Sequence, residues 1–242
     1  MLRKILRKHI TCGIVLFFLL GGEIRLYADD YVKYVRQMYP VKPQTNCLVD
    51  LKFAQVILKQ WERDSILLEA SFRIKEVEEW EKETLAEQLN FCLRSWADIW
   101  KLHLELAPEF NRGGDLVAEI KIWVPRDITL DIINRYGTIN LPDYDARLPL
   151  SLTTVYGNIN VDTVRSLPQT EIRLNVSYGK LEIKNCEKAT IRSAYSSVGV
   201  KTARYLQIKA EKSTLRLQNT DTIISQGEYN HYDIDSPNPP TF

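Results

Sequence analysis

The sequence has few of the residues on which most catalytic and metal-binding sites depend. Only 3 His and 4 Cys occur among 242 residues, and no cysteine has the CxxC or CxxH spacing of a zinc site. His103 and His231 are far apart in sequence and have no companion ligands. A glycine-rich phosphate loop and a nucleophile elbow are also missing. We therefore predict no catalytic residue, no metal site and no cofactor.

An excess of charge and a membrane-length apolar run are missing as well. The formal net charge of +1 gives no electrostatic basis for binding nucleic acid. The longest apolar run, residues 10–22, falls short of the roughly 20 residues that span a bilayer. It follows a basic segment and precedes Ala28, which predicts a signal peptide over residues 1–28. The alternative is an uncleaved anchor. With cleavage, we expect no transmembrane span.

Export permits disulfides, but the mature chain would keep an odd number of cysteines: Cys47, Cys92 and Cys186. At most one bridge can form within a chain, and Cys47–Cys92 is one candidate. Because Cys47 falls on an inward position of the repeat described below, we favour a buried free thiol there.

A repeated phrase, Tyr-Gly followed by an alternating tetrad, dominates the second half of the chain. Numbering the residue before each Tyr as position 0 places anchors at 135, 155, 177, 194, 211 and 228, and an earlier copy at Lys52. Position +1 holds Phe53 in that copy, and then Tyr136, Tyr156, Tyr178, Tyr195, Lys212 and Tyr229. Position +2 holds Gly137, Gly157, Gly179, Ser196, Ser213 and Asn230.

The spacing of apolar residues predicts the fold. Positions −5 and −3 share one strand face, and so do +4 and +6. Positions −3 and +4 are seven residues apart, so in a straight strand their side chains would face opposite sides. A bend must therefore lie between them, and we assign it to the small or polar residues at +2. Copies repeat every 17 to 22 residues, too short for a helical crossover. We predict a mainly-β fold, a right-handed parallel β-solenoid built from single-stranded coils. The longer intervals should bulge as loops around Pro142–Ala146 and Val164–Gln169.

The remaining segments divide the chain. Residues 29–125 should form strands and one amphipathic helix at roughly 76–91 that cap or begin the solenoid. They include a loop at 108–115 with Gly113 and Gly114. Residues 126–235 hold the repeats, and 236–242 form a proline-rich flexible tail.

The segment from Ile120 through Val124-Pro125 and Ile128-Thr129-Leu130 to Asn134-Arg135-Tyr136-Gly137 resembles the adhesin-like β-strand-repeat proteins of bacterial cell envelopes. That family, of the auto-transporter adhesin head type, has V-P-x-x-I-x-L before N-x-Y-G. The resemblance covers about residues 47–235. It implies a fold and an exported location, in the periplasm or on the outer surface of a Gram-negative bacterium, but no catalytic residues.

The tyrosine column is the main functional candidate. Position +1 shares parity with −5 and −3, which points the rings towards the interior or corner as a stack that holds the turns in register. The alternative is an exposed ladder that binds sugar or peptide. We predict a non-catalytic binding or structural envelope protein whose partner is an envelope protein or a glycan.

Two alternatives stay open. A carbohydrate-active β-helix enzyme would need Asp, Arg or Lys clustered on one face across adjacent coils. The charged residues considered for such a site are Asp143 and Asp145, which flank Tyr144 in a loop, and Lys180, Lys184 and Arg192 in neighbouring coils. A partner in envelope-stress signalling would dock through the helix at 76–91.

The Asp-Ser/Thr-apolar acceptor of a bacterial O-glycosylation system is matched at three places: Asp64-Ser65-Ile66, Asp162-Thr163-Val164 and Asp221-Thr222-Ile223. A pattern this short arises readily by chance.

Overall fold

A computed structural model describes residues 29–96, 99–106 and 116–235. The predicted signal peptide, the loop around Gly113 and Gly114 and the proline-rich tail lie outside these residues. About 75% of the described residues are strand, with one short helix among them, and the solenoid makes about five turns. The predicted mainly-β solenoid is confirmed.

The N-terminal part contains antiparallel and parallel strands. Its elements are β1 (Asp29–Pro40), β2 (Asn46–Lys52), β3 (Ala54–Gln60), β4 (Ser65–Val77), α1 (Glu81–Gln88), β5 (Leu89–Trp96), β6 (Ile99–Leu106) and β7 (Leu116–Val124). β2 and β3 form one solenoid turn, and β6 and β7 form another. β4 pairs antiparallel with β7, and β1 pairs antiparallel with β4. β5 pairs antiparallel with β6.

The regular part stacks parallel strands in two sheets joined by the bend. Its elements are β8 (Thr129–Arg135), β9 (Thr138–Ala146), β10 (Leu150–Val155), β11 (Asn158–Ser166), β12 (Ile172–Ser177), β13 (Lys180–Ala194), β14 (Ser197–Glu211), β15 (Thr214–Gln218), β16 (Thr220–Gln226) and β17 (His231–Asp235). The first sheet holds β8, β10, β12, the ends of β13 and β14, and β16. The second holds β9, β11, the beginnings of β13 and β14, β15 and β17.

The repeat alignment gives the register of these strands. Val155 is paired with both Arg135 and Ser177, and Ala194 with both Ser177 and Glu211. The earlier copy also aligns, because Lys52 pairs with Arg135. The turn of β2 and β3 therefore lies between two turns that follow it in sequence, with β6 and β7 on one side and β8 and β9 on the other.

Two expectations are wrong in detail. The helix covers Glu81–Gln88 rather than 76–91, because antiparallel pairing takes the flanking apolar residues: Val77 pairs with β1, and Leu89 with β6. The loop expected at Pro142–Ala146 is strand, in which Tyr144 pairs with Val164 and is buried. Position +9 is a further inward column, consisting of Tyr144, Val164, Cys186, Ala203 and Thr220. The extra residues instead leave the sheets at 147–149 and 167–171.

The bend depends on a left-handed residue at position +1, not on the residue at +2 as the sequence indicated. The φ angle is 59° at Tyr136, 56° at Tyr156 and 54° at Tyr178. Positions 0 and +1 both lie on the outer side. Position −1 before them is buried in every described bend except the last, and position +2 after them is half-buried where it is glycine and buried at Ser196 and Ser213. The left-handed residue thus absorbs the odd step between the two inward rows.

Glycine at +2 is required by the close approach of successive turns. A Cβ on Gly157 would lie 2.0 Å from the carbonyl oxygen of Gly137, and one on Gly179 would lie 1.8 Å from that of Gly157. No side chain fits at these distances without moving the backbone.

The 17-residue turns carry a polar residue at +2 instead. The Gly179 N–H donates to Ser196 Oγ at 3.2 Å, the Ser196 N–H to Ser213 Oγ at 3.3 Å, and the Ser213 N–H to Asn230 Oδ1 at 3.0 Å. Each side chain therefore satisfies a backbone donor of the previous turn at the inner corner.

The glycine argument can be tested with a matched pair of substitutions. We expect Gly157→Ala to lower the free energy of unfolding by about 1–3 kcal/mol, because the new methyl group meets backbone. Gly199→Ala is the control, because its Cβ would meet only the flexible carboxylate of Glu182. It should change stability by no more than about 0.5 kcal/mol. Urea unfolding of both variants measures the difference, and equal losses would contradict the interpretation.

Candidate functional site

The tyrosines at position +1 form a continuous stack on the outside of the bend. This aromatic ladder consists of Phe53, Tyr136, Tyr156, Tyr178 and Tyr195. Successive ring centroids are 5.2, 5.4, 4.9 and 5.0 Å apart, with interplanar angles of 15°, 3°, 15° and 7°. The four tyrosines are 45–53% exposed, so the rings lie at the corner and not in the interior.

A lysine ends the ladder. Lys212 occupies position +1 of the next turn, and its Nζ lies 5.0 Å from the Tyr195 ring centroid and 3.0 Å from the Tyr195 hydroxyl oxygen. The hydrogen bond to Tyr195 raises the pKa of Lys212. Tyr229, one turn further, is 80% exposed and contacts no other ring among the described residues.

Stacking offsets the strain of the bend. A left-handed backbone costs a residue other than glycine about 1–2 kcal/mol. An aromatic pair contributes about 0.5–1.5 kcal/mol beyond its area burial, and each inner ring of the ladder belongs to two pairs. The same stacking covers both faces of every inner ring, so only the ring edges and hydroxyl groups are available to a ligand. The aromatic ladder therefore holds the turns in register, and its inner rings offer no face on which a sugar could stack.

A groove runs beside the ladder on the outer side of the first sheet. This corner groove has a volume of about 750 Å³. Its lining at position −2 consists of Thr153, Asn175, Arg192, Lys209 and Gln226, and at position 0 of Ser177, Ala194, Glu211 and Glu228. The position −2 residues lie on successive paired strands. Four strand spacings give the groove a length of about 19 Å.

Polar and charged groups dominate this lining. Asn175 Nδ2 donates to Thr153 Oγ1 at 2.9 Å, which orders the neutral end of the groove. Arg192 and Lys209 follow on the next two turns, and Glu211 and Glu228 are exposed near the C-terminal end. Small side chains at Ser177 and Ala194 keep the middle of the groove open. Such a lining suits a long ligand with repeated hydroxyl groups.

The charged residues that the sequence singled out do not form one cluster. Arg192 lies in the corner groove, but Lys180 and Lys184 lie on the second sheet, where they pair with Glu182 and Asp162. Asp145 forms ion pairs with Arg126 and Arg165, away from the groove. Aligning position −2 across the repeats would have found the groove residues, because that column is polar in every turn from Thr153 onward.

His103, Cys47 and Cys186 occupy structural surroundings. His103 Nδ1 lies 3.8 Å from Asp50 Oδ2, and the described residues contain no group of three His, Cys, Asp or Glu that could hold a metal ion. Cys47 and Cys186 are buried free thiols, Cys47 at position −5 and Cys186 in the +9 column. The free thiol at Cys47 means that the candidate Cys47–Cys92 bridge is not formed. Burial raises the pKa of Cys47, and raises that of Cys186 to about 12.

The three glycosylation-like sequences differ in accessibility. Ser65 is buried, whereas Thr222 is exposed on the surface of the last turn. A folded chain could therefore present Thr222 to a modifying enzyme but not Ser65.

No family model matches the chain. No curated protein matches it either. Two of the similar solved structures are crystal structures of proposed adhesins. The one from Parabacteroides merdae is 10% identical, with 86% of this chain and 95% of that chain covered and a TM-score of 0.45. The one from Bacteroides fragilis is 11% identical, with 84% and 94% covered and a TM-score of 0.47.

A third similar structure is a proposed lipid-binding protein of Parabacteroides distasonis. It is 9% identical, with 86% of this chain and 96% of that chain covered and a TM-score of 0.36. At such identities and scores, none of the three indicates a ligand or an activity for this chain. No helix among the described residues is long and apolar enough to cross a membrane.

The buried thiols should resist alkylation in the folded protein. At pH 8 the thiolate of Cys186 is present at roughly one part in ten thousand, and the thiolate is the reactive form. We expect iodoacetamide to leave Cys47 and Cys186 unmodified in the native protein and to modify both in urea. Peptide mass spectrometry measures each site, and rapid labelling of native Cys47 would contradict the buried placement.

The contribution of the aromatic ladder can be measured against the isolated tyrosine. Tyr156 and Tyr229 occupy the same repeat position with φ of 56° and 58°, but only Tyr156 is stacked. We expect Tyr156→Ala to lower the free energy of unfolding by about 1–3 kcal/mol more than Tyr229→Ala, because it removes two ring contacts. Denaturant unfolding gives both values. Equal losses would show that stacking does not stabilise the bend.

Proposed function

We propose that this chain is an exported cell-envelope protein that binds an extended glycan without altering it chemically. The observation that carries the proposal is the corner groove, which crosses neighbouring turns and presents hydrogen-bonding side chains at a regular spacing. The signal-peptide pattern of residues 1–28 supports export to the periplasm or outer surface of a Gram-negative bacterium.

The shape of the groove favours a polymer over a compact metabolite. Ligand pockets for small molecules enclose most of their ligand and are largely apolar. The corner groove is open along its length and is lined by hydroxyl, amide and charged groups. Because the turns stack in register, hydrogen-bonding groups recur at about 4.8 Å along its axis. A glycan chain presents its hydroxyl groups with comparable regularity.

The rigidity of the lining also favours binding. The groove residues lie on strands that are paired on both sides, except at the terminal turn. A preorganised surface loses little conformational freedom when a ligand binds, which improves affinity without additional contacts.

An enzyme remains the second candidate, because the groove places Arg, Lys and Glu side chains on one face across adjacent turns. Glycosidases use two carboxyl groups that flank the scissile bond, one of them kept protonated in an environment that raises its pKa. Glu211 and Glu228 are both exposed to solvent and lie side by side in one column. This arrangement favours binding over bond cleavage.

The proposal can be tested by blocking the groove. The purified protein would be applied to a panel of immobilised polysaccharides, including dextran, galactan, arabinoxylan, glucuronoxylan and mucin glycans. We expect retention on at least one of them and a loss of affinity of about tenfold or more in Ala194→Trp, whose indole would fill the middle of the groove. Ser197→Trp, on the exposed face of the second sheet, is the control and should bind like the parent protein.

Thermal unfolding of both tryptophan variants must show that they fold. Absence of retention on every polysaccharide, or equal losses in the two variants, would refute the proposed site. Release of reducing ends from a retained polysaccharide would favour the enzyme instead.

A further inference from the structure

The cations of the corner groove differ from most other cations on the solenoid surface. Arg173, Lys180, Lys184 and Arg216 each have a carboxylate within 4.0 Å. Arg192 and Lys209 have no such partner among the described residues. Both are exposed and line the groove.

These two cations are also direct neighbours. Arg192 pairs with Lys209 in the parallel ladder between β13 and β14, so their backbones lie one strand spacing apart, about 4.8 Å. Like charges directly opposite each other on neighbouring strands are destabilising. A bound anion would remove this repulsion. The guanidinium group of Arg192 can hold a carboxylate through two parallel N–H···O bonds, and the Lys209 ammonium can add a third donor.

The rest of the lining limits how many anionic groups the ligand can carry. Thr153 and Asn175, on the N-terminal side of the cation pair, are neutral donors and acceptors. Glu211, on the same turn as Lys209, and Glu228, on the turn after it, would repel further carboxylates. A uniformly charged polyanion would therefore meet repulsion at one end of the groove. A glycan with widely separated carboxylates would place one of them on the cations and neutral sugars elsewhere.

We propose that the groove ligand is a sparsely acidic glycan, and that Arg192 and Lys209 bind a single uronic-acid carboxylate and thereby position the chain in the groove. This inference rests on the proposed glycan-binding function and names the chemical class of its ligand. Asn175 and Thr153 would then contact the neutral sugars that lie on one side of the acidic residue.

The test compares two probes that differ only in the carboxyl group. Glucuronoxylan carries scattered glucuronic acid on a neutral xylan backbone, and chemical reduction of its carboxyl groups gives the uncharged counterpart. We expect the protein to bind glucuronoxylan about tenfold or more tightly than the reduced polymer. Binding should weaken with added NaCl, because the ion pair is solvent-exposed. Polygalacturonate, which is uniformly charged, should bind more weakly than glucuronoxylan.

Charge variants locate the effect. Arg192→Gln should lose about tenfold in affinity for glucuronoxylan while its affinity for the reduced polymer stays within about twofold. Lys209→Gln should show the same selectivity with a smaller loss, since a single ammonium makes one contact. Arg216→Gln is the control, because that exposed cation lies on the second sheet and already pairs with Asp233. It should not change either affinity.

The outcomes separate this inference from the proposed function. Equal binding of both polymers that Ala194→Trp abolishes would overturn the carboxylate site and leave the glycan groove standing. Binding that is insensitive to Ala194→Trp would overturn both. Failure to bind either form of the xylan would overturn the sparsely acidic ligand, whereas the polysaccharide panel tests the groove on neutral glycans independently.

Discussion

An odd step of seven positions between two inward rows is the constraint on which this solenoid depends. Each turn whose bend lies within the described residues resolves it with one left-handed residue at position +1. Because the turns stack in register, these strained residues form a column with one strand spacing between members. A planar ring fits that spacing, and each ring covers its neighbours. The column of strained residues and the stack of rings therefore arise from the same repeat position. Lys212 occupies that position in the next turn and ends the stack, with its ammonium group over the ring of Tyr195.

At the inner side of the same corner, the close approach of successive turns is accommodated in two ways. In the longer turns, glycine lets the carbonyl oxygen of the preceding turn approach to a distance that no Cβ could tolerate. In the 17-residue turns, Ser196, Ser213 and Asn230 place an oxygen where the backbone donor of the preceding turn needs an acceptor. The change from glycine to polar side chains thus follows turn length, and both solutions leave the outer column and the corner groove continuous.

The architecture could be predicted from the sequence because the buried apolar residues recur at the same positions of every repeat. The alignment of Lys52, Arg135, Val155, Ser177 and Ala194 is the strand register that the structure shows. Predictions failed for features that are not determined by which residues are buried. The φ angle at +1 follows from chain geometry and not from residue type, since tyrosine rarely adopts it. The helix lost its ends to strand pairing between distant segments. The corner groove depends on curvature and side-chain size at outward positions, which apolar periodicity does not report.

The order in which turns are stacked differs from their order along the chain. The turn of β2 and β3 has as neighbours the turn of β6 and β7 and the turn of β8 and β9, both of which follow it. This early turn can complete its hydrogen bonds on one edge only when residue 124 is available, and on the other edge only when residue 140 is available. Closing these long loops costs entropy before any contact compensates for it. The uninterrupted turns after residue 129 make shorter-range contacts, so assembly should begin near the C-terminal half and incorporate the N-terminal turn late. The segment that is synthesised first should therefore be among the last to complete its hydrogen bonds.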